Sequence, residues 1–369
     1  MKLTCTREQL NHAVQTVQKA IATKTPMQIL TGIYLSAKNN QLELQATDYE
    51  IGITCTIEAN IEEEGISVLS GKMFQEMVRH LSGDNVHIES STEDRTVKIT
   101  SNFAQFNLLC LPAEEFPVLK PLTHENVLSI KDNVLRDMIK KTIFACAIED
   151  SRPIFTGALL EANNQNVTMV ATNTHRLALK RDAIDSFEGL IKMIIPSKIL
   201  NELARLLTSD IPFDVNISWQ KNQVAFSFDN VYIVSRLIEG TFPEYQKVIP
   251  NDFVTIVTVN CDQFLDAVER VSLIARDGDY NVIKFSFKGN QITIHSNNPE
   301  LGKASETIEA DIKGNELDIA FNAKYVSDIL KNVTTDELTF SLNTPLSPAA
   351  IQPLHDDQYI YIITPVRSN

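Results

Sequence analysis

Apolar and polar positions along this chain follow two periods, and the same succession of periods recurs three times. At helical spacing, Leu10, Val14 and Val17 share one face of a segment running from 6 to about 20, with Thr6 placed to cap it. Leu135, Met138, Ile139 and Ile143 do the same from about Asp132, and Phe264, Leu265, Val268 and Val271 from about Asp262. At a period of two, residues 41–46, 166–171 and 291–294 read as strands, the first entered through an Asn39-Asn40 turn. Their apolar anchors Leu42, Val167 and Ile292 are evenly spaced. Further alternation predicts strands at 97–99 and 106–108, at 224–228, and at 338–342 and 360–363.

Between these strands lies a second helix whose sequence is nearly repeated. It reads Lys72-Met73-Phe74-Gln75-Glu76-Met77-Val78-Arg79-His80-Leu81, then Lys198-Ile199-Leu200-Asn201-Glu202-Leu203-Ala204-Arg205-Leu206-Leu207, then Lys324-Tyr325-Val326-Ser327-Asp328-Ile329-Leu330-Lys331-Asn332-Val333. The three lysines fall at equal intervals. In the first copy Met73, Phe74, Met77, Val78 and Leu81 are expected to face a core, with Lys72, Glu76 and Arg79 opposite. The opposite face reads most simply as solvated, laced by i,i+4 ion pairs such as Lys324 with Asp328, each worth a few tenths of a kcal/mol, about 0.2–0.5. Phe116-Pro117 and Phe242-Pro243 stand at the same interval and are followed by Pro121 and Pro250, which puts linkers near 122 and 251. The pattern therefore predicts an α+β chain of three repeated domains, 1–122, 123–251 and 252–369. Each would hold two helices and about eight strands, the helices packed on one face of antiparallel sheet. The interval is too long for a solenoid, whose repeats span about 20–50 residues.

Composition sharpens this. A chain of 369 residues with 43% hydrophobic content can build three ordinary cores. A formal net charge of −14 argues against an open basic nucleic-acid face. The six predicted helices nevertheless sum to a positive charge, so the acidity lies elsewhere. Lining one concave surface, they could hold a polyanion through non-specific, salt-sensitive phosphate contacts. No helix-turn-helix, zinc-finger or aromatic-rich basic stripe points to base reading. No apolar leader and no run of about 20 apolar residues is visible, so a cytoplasmic protein without a membrane partner is expected. Five scattered cysteines, never in a C-x-x-C pair, read as free buried thiols. G-x-x-x-x-G-K-[ST], G-x-G-x-x-G and H-E-x-x-H are all missing, the seven histidines are dispersed, and Asp356-Asp357 reads as a solvated turn. An enzyme is thus unsupported and no cofactor is expected. A repeat-built extracellular binding protein is disfavoured by the missing leader and the free thiols.

Several ordered segments carry a more specific resemblance. They include Ala46-Thr47-Asp48-Tyr49-Glu50, Leu111-Pro112-Ala113-Glu114-Glu115-Phe116-Pro117, Ser151-Arg152-Pro153-Ile154-Phe155-Thr156-Gly157, Val170-Ala171-Thr172-Asn173-Thr174-His175-Arg176-Leu177-Ala178, Glu239-Gly240-Thr241-Phe242-Pro243-Glu244-Tyr245 and Ala320-Phe321-Asn322-Ala323-Lys324-Tyr325-Val326. Together they resemble the bacterial DNA sliding clamps, the β subunits of the replicative DNA polymerase III. The resemblance implies a non-catalytic processivity factor. It would be a head-to-tail homodimer closed into a six-domain ring around double-stranded DNA, bound without regard to sequence. Implied partners are the clamp loader, the replicative polymerase α subunit, other polymerases, and ligase or mismatch-repair proteins, docked through short peptides.

By position, the resemblance puts the peptide groove at Phe155, Thr172, Thr174, His175, Arg176, Leu177, Pro243, Lys247, Val248, Ile362, Thr364, Pro365, Val366 and Arg367. Leu177, Val248, Ile362 and Pro365 would offer apolar walls, and His175 and Arg176 donors. DNA contacts map to Lys24 and Arg152, with Arg79, Lys198 and Arg205 on the basic helices. Phe106, Leu108, Leu273, Ile274, Glu300 and Glu306 map to the subunit interface. Three departures stand out. Asn173-Thr174 replaces the family's Asp-Gly, so a side chain at 174 is expected to narrow the groove or forbid a positive φ. Thr364 replaces a larger apolar residue. Ser368 and Asn369 extend the usual terminus.

Overall fold

The computed structural model describes residues 1–91, 94–122, 127–149, 151–275 and 281–367. The start of the expected second domain at 123, the end of the third long helix at 276, and the Ser368-Asn369 extension lie outside these residues. Within them stand the six expected helices: α1 (Arg7–Val17), α2 (Gly71–His80), α3 (Asp132–Thr142), α4 (Ser197–Leu206), α5 (Cys261–Ala275) and α6 (Ala323–Leu330). Thr6 caps α1 as expected, its hydroxyl accepting the Gln9 N–H at 3.3 Å, a contact worth about 1 kcal/mol. Asn322 caps α6 by accepting the Tyr325 N–H at 3.2 Å.

The repeated helices bury the expected face with one exception. Phe74, Met77, Val78 and Leu81 are buried, but Met73 is 52% exposed. At about 100° per residue, Met73 falls outside the arc that the other four cover. A second expectation also changes. Asp328 pairs with Arg176 rather than with Lys324, and Lys331 reaches Glu269 at 2.8 Å. The buried guanidinium of Arg176 is the stronger claim on that carboxylate.

The chain folds as two compact units, Met1–Asp132 with Arg205–Leu237, and Asn133–Ala204 with Ile238–Asn369. The first holds a 13-stranded antiparallel sheet, the second a seven-stranded and a four-stranded one. Two strands in the second unit, Gly157–Thr172 and Arg176–Pro196, are longer than the alternation suggested. Their register shifts between Asn163 and Asn166, so one stretch of each pairs on either side of the irregularity.

One rule of strand pairing recurs. Ile51–Glu58, from the first third of the sequence, pairs with Val231–Arg236, from the second, with Ile53 opposite Ile233. Arg176–Pro196, from the second third, pairs with Tyr359–Ile363, from the last, with Leu177 opposite Ile362. The matching strand of the last third, Gly302–Glu309, pairs only with Gln291–Asn298 among the described residues. Correspondingly, Ala104–Leu111 pairs with Thr96–Ser101 along its length but meets Gly65–Ser70 only at Leu111 and Cys110. Among the described residues the rest of its outer edge is open.

The core of the last third is aromatic. Phe285, Phe287 and Phe321 surround Phe340 at centroid distances of 5.6 to 6.2 Å. Cys5, Cys55, Cys146 and Cys261 are buried free thiols and Cys110 is half-buried. Burial pushes the thiols of Cys5, Cys55 and Cys146 up to about 12, which keeps them protonated and unreactive. Among the described residues no helix is long and apolar enough to cross a membrane.

Candidate functional site

The turn between Gly157–Thr172 and Arg176–Pro196 organises the site. The Thr172 hydroxyl donates to the Arg176 carbonyl at 2.6 Å and accepts the Thr174 N–H at 3.1 Å. The Asn173 carboxamide oxygen accepts the N–H groups of His175 and Arg176, each at 3.1 Å. Short polar side chains thus satisfy the turn's backbone locally. They hold Thr174 at φ 75°, so of the two expected consequences of a side chain there, a narrower groove or a forbidden positive φ, the second does not occur. The caged turn overrides the cost of about 1–2 kcal/mol that a left-handed residue carries. The Thr364 N–H donates to the His175 carbonyl at 2.9 Å, bringing the chain end to the turn.

Beside this turn lies an apolar cleft of about 260 Å³. Of the expected groove residues, Phe155, Thr172, Thr174, Arg176, Leu177, Pro243, Val248, Ile362 and Thr364 line it. Leu177 and Ile362 belong to a buried cluster with Leu159, Val170 and Tyr245, so the floor is rigid. Phe155 meets Phe242 edge-on at 6.4 Å. Val248 stands at the rim, 51% exposed, as an apolar lip. The Tyr245 hydroxyl donates to Glu161 at 3.2 Å, and burial with the nearby carboxylate pushes its pKa up to about 12.

Five expected groove residues lie elsewhere. His175 is exposed and lines an adjoining polar cleft. Lys247 pairs with Glu244 at the surface. Pro365, Val366 and Arg367 run past the cleft, the Val366 N–H donating to the Ala320 carbonyl at 2.8 Å. Arg176 lines the cleft but does not offer its guanidinium as an open donor. That group is bonded to Asp328 and to the Phe144 carbonyl, and lies 4.4 Å from the Tyr325 ring centre. Phe242, Glu244, Tyr245 and Pro348 complete the lining. Phe242, Glu244 and Tyr245 lie in a resembling segment from which only Pro243 is expected in the groove, and Pro348 sits in an irregular loop that no periodicity marks.

The adjoining cleft, about 670 Å³, shares Phe155, Thr174 and Arg176 with the first and adds Arg152, His175, Lys324 and Glu149. Arg152 is exposed there, Lys24 is exposed on the loop after α1, and Arg79, Lys198 and Arg205 are exposed on α2 and α4. Of the interface candidates, Phe106 is 38% and Leu273 56% exposed. Leu108 and Ile274 are half-buried, Glu300 is exposed, and Glu306 accepts two bonds from Arg270 at 3.0 and 2.6 Å. The sequence reading missed Phe103 and Leu109, which are fully and 77% exposed at one end and on the open edge of the same strand. Consecutive apolar residues break the alternation at Leu108-Leu109, which was the available signal.

Family models match in order along the chain. The DNA polymerase III beta subunit N-terminal domain covers residues 1–120, the central domain 129–244 and the C-terminal domain 246–367. A beta sliding clamp of Bacillus subtilis is 36% identical over 379 residues, and one of Staphylococcus epidermidis 32% over 377, each spanning 100% of both chains. Among solved structures, the DNA polymerase sliding clamp from Bacillus subtilis aligns with a TM-score of 0.95 at 35% identity. A sliding clamp from Pseudomonas aeruginosa bound to griselimycin aligns at 0.94 and 27%. Both alignments cover 100% of each chain. Matched over nearly its whole length by all three domain models in their order, the chain belongs to the DNA polymerase III beta subunits, the bacterial sliding clamps.

Proposed function

We propose that this chain works as a DNA polymerase processivity factor, a non-catalytic homodimeric ring that encircles duplex DNA and tethers polymerases and other DNA-processing proteins. The observation that carries the reading is the pair of open strand edges. The first and second thirds each pair a strand with the final strand of the next third, whereas Gly302–Glu309 of the last third is paired on one side alone among the described residues. A second copy supplies the other neighbour. Carrying the register of Ile51–Glu58 with Val231–Arg236 onto the open edges sets Phe106 opposite Ala304 and Gln105 opposite Ser305 of the second copy. Two such joints close a head-to-tail dimer and cover both of these open edges. We take the domains as 1–122, 123–251 and 252–369, and the site of action as the cytoplasm.

Retention on DNA is then topological. The exposed Lys24, Arg79, Arg152, Lys198 and Arg205 give weak, sequence-independent phosphate contacts, which lets an acidic protein slide on a polyanion. The apolar cleft, with its rigid floor and the Val248 lip, suits the apolar anchors of an extended peptide from a polymerase, the loader or another partner. A relative bound to griselimycin supports a ligand-taking clamp surface. The variant Gln105→Cys/Ser305→Cys tests the joint. Oxidation should give a covalent dimer that each single variant fails to form. No dimer band, or only the background of the half-buried Cys110, would contradict the pairing.

A further inference from the structure

The turn that organises the apolar cleft has a twin at residues 47–52, and beside the twin is a second cleft. The Thr47 hydroxyl donates to the Ile51 carbonyl at 2.8 Å and accepts the Tyr49 N–H at 3.0 Å. The Asp48 carboxylate accepts the N–H groups of Glu50 and Ile51 at 3.0 and 2.8 Å. Each bond repeats one made by Thr172 or Asn173. Tyr49 stands at φ 74° where Thr174 stands at 75°. The Arg236 N–H donates to the Glu50 carbonyl at 3.0 Å, as Thr364 does to His175. Gly52 lies opposite Val234, as Leu177 lies opposite Ile362.

The cleft beside this twin measures about 280 Å³, against about 260 Å³ for its counterpart. Its apolar lining includes Ile51, Pro117, Val118, Leu119 and Val234. Leu119 is fixed by Gln45, which accepts its N–H at 2.9 Å and donates to its carbonyl at 3.3 Å. It packs over Gly52, 2.6 Å from where a β-carbon would stand. The linker leucine thus supplies the wall that Leu177 supplies in the groove. Val118 is 46% exposed. The polar lining differs from that of the groove: the exposed cations Lys120 and Arg236 line it with one carboxylate, Glu50. In a chain of net charge −14 this is a locally cationic, partly apolar cleft.

We propose that this cleft is a second peptide-binding site, taking an extended segment that carries an apolar anchor and a flanking carboxylate. The anchor lies against Val118, Leu119 and Val234, and the carboxylate pairs with Lys120 and Arg236. The inference rests on reading the first cleft as a peptide groove, since the two share one turn, one strand pairing and one size.

The test uses the full-length protein and a single probe, an acetylated and amidated pentapeptide of sequence Ala-photoleucine-Asp-Leu-Ala, with cross-links mapped by mass spectrometry. Labelling is expected at 117–120 and 234–236 in addition to the groove. Lys120→Glu/Arg236→Glu should cut labelling of the second cleft at least tenfold and leave groove labelling within twofold. Val248→Asp should do the reverse. Labelling confined to the groove, or unaffected at 117–120 by the charge reversal, overturns the second site alone. Labelling of the second cleft with an unlabelled groove overturns the groove reading and leaves this site standing.

Discussion

Nη1 of Arg176 lies 2.5 Å from Oδ2 of Asp328, joining the turn that lines the apolar cleft to helix α6. The arginine side chain is 5% exposed and Asp328 24%. The same helix turn supplies Tyr325, whose ring lies under the guanidinium and whose hydroxyl accepts a bond from Asn173 at 3.2 Å. Asp328→Asn leaves a buried cation without its counter-charge, a change that costs about 3 kcal/mol. Asp328 does not itself line the cleft, yet the variant should weaken peptide binding through Arg176 and the turn, with Asp328→Glu restoring part of it. Titration calorimetry of a clamp-binding peptide alongside denaturant unfolding separates the two effects.

That pair also marks where sequence reading stopped. Period and spacing were enough for six helices, the Thr6 cap and the strands, because those follow from local burial. Resemblance located most of the cleft, since Leu177, Val248 and Ile362 sit in recognisable segments. Neither could assign Arg176 its partner, because Asp328 lies 152 residues away in a helix whose own lysine offered a plausible local pair. Met73 failed for the opposite reason: an apolar residue one step outside the buried arc looks the same in sequence as one inside it. The open edges were invisible as well, since a strand reads alike whether or not a neighbour pairs with it.

Thr174 and Tyr49 occupy left-handed backbone at φ 75° and 74°. Glycine at either position relieves about 1–2 kcal/mol of strain and adds about 0.5–1 kcal/mol of unfolded-state entropy. Thr174→Gly and Tyr49→Gly should each therefore be neutral or stabilising by up to about 1 kcal/mol. Thr172→Val, which breaks two bonds of the cage, should destabilise. Thermal unfolding of the three variants checks this, and a loss of stability in both glycine variants would contradict the strain.

Among the described residues the buried hydroxyl of Tyr359 has no hydrogen-bond partner, and the side chain is wholly enclosed. Its pKa is raised well above the usual tyrosine value, chiefly by burial. Tyr359→Phe removes an unsatisfied polar atom without altering the ring, and should stabilise the protein by about 1 kcal/mol or more. Denaturant midpoints at constant slope measure it. Destabilisation would mean that the hydroxyl is bonded in solution.

Encirclement is tested most directly by loading the protein onto nicked circular duplex DNA with its cognate loader and ATP, isolating the complex, and then cutting the circle once. A ring held by topology stays on the circle through a salt wash and runs off after the cut. Retention that is unchanged by linearisation, or that never required loading, would contradict a sliding clamp.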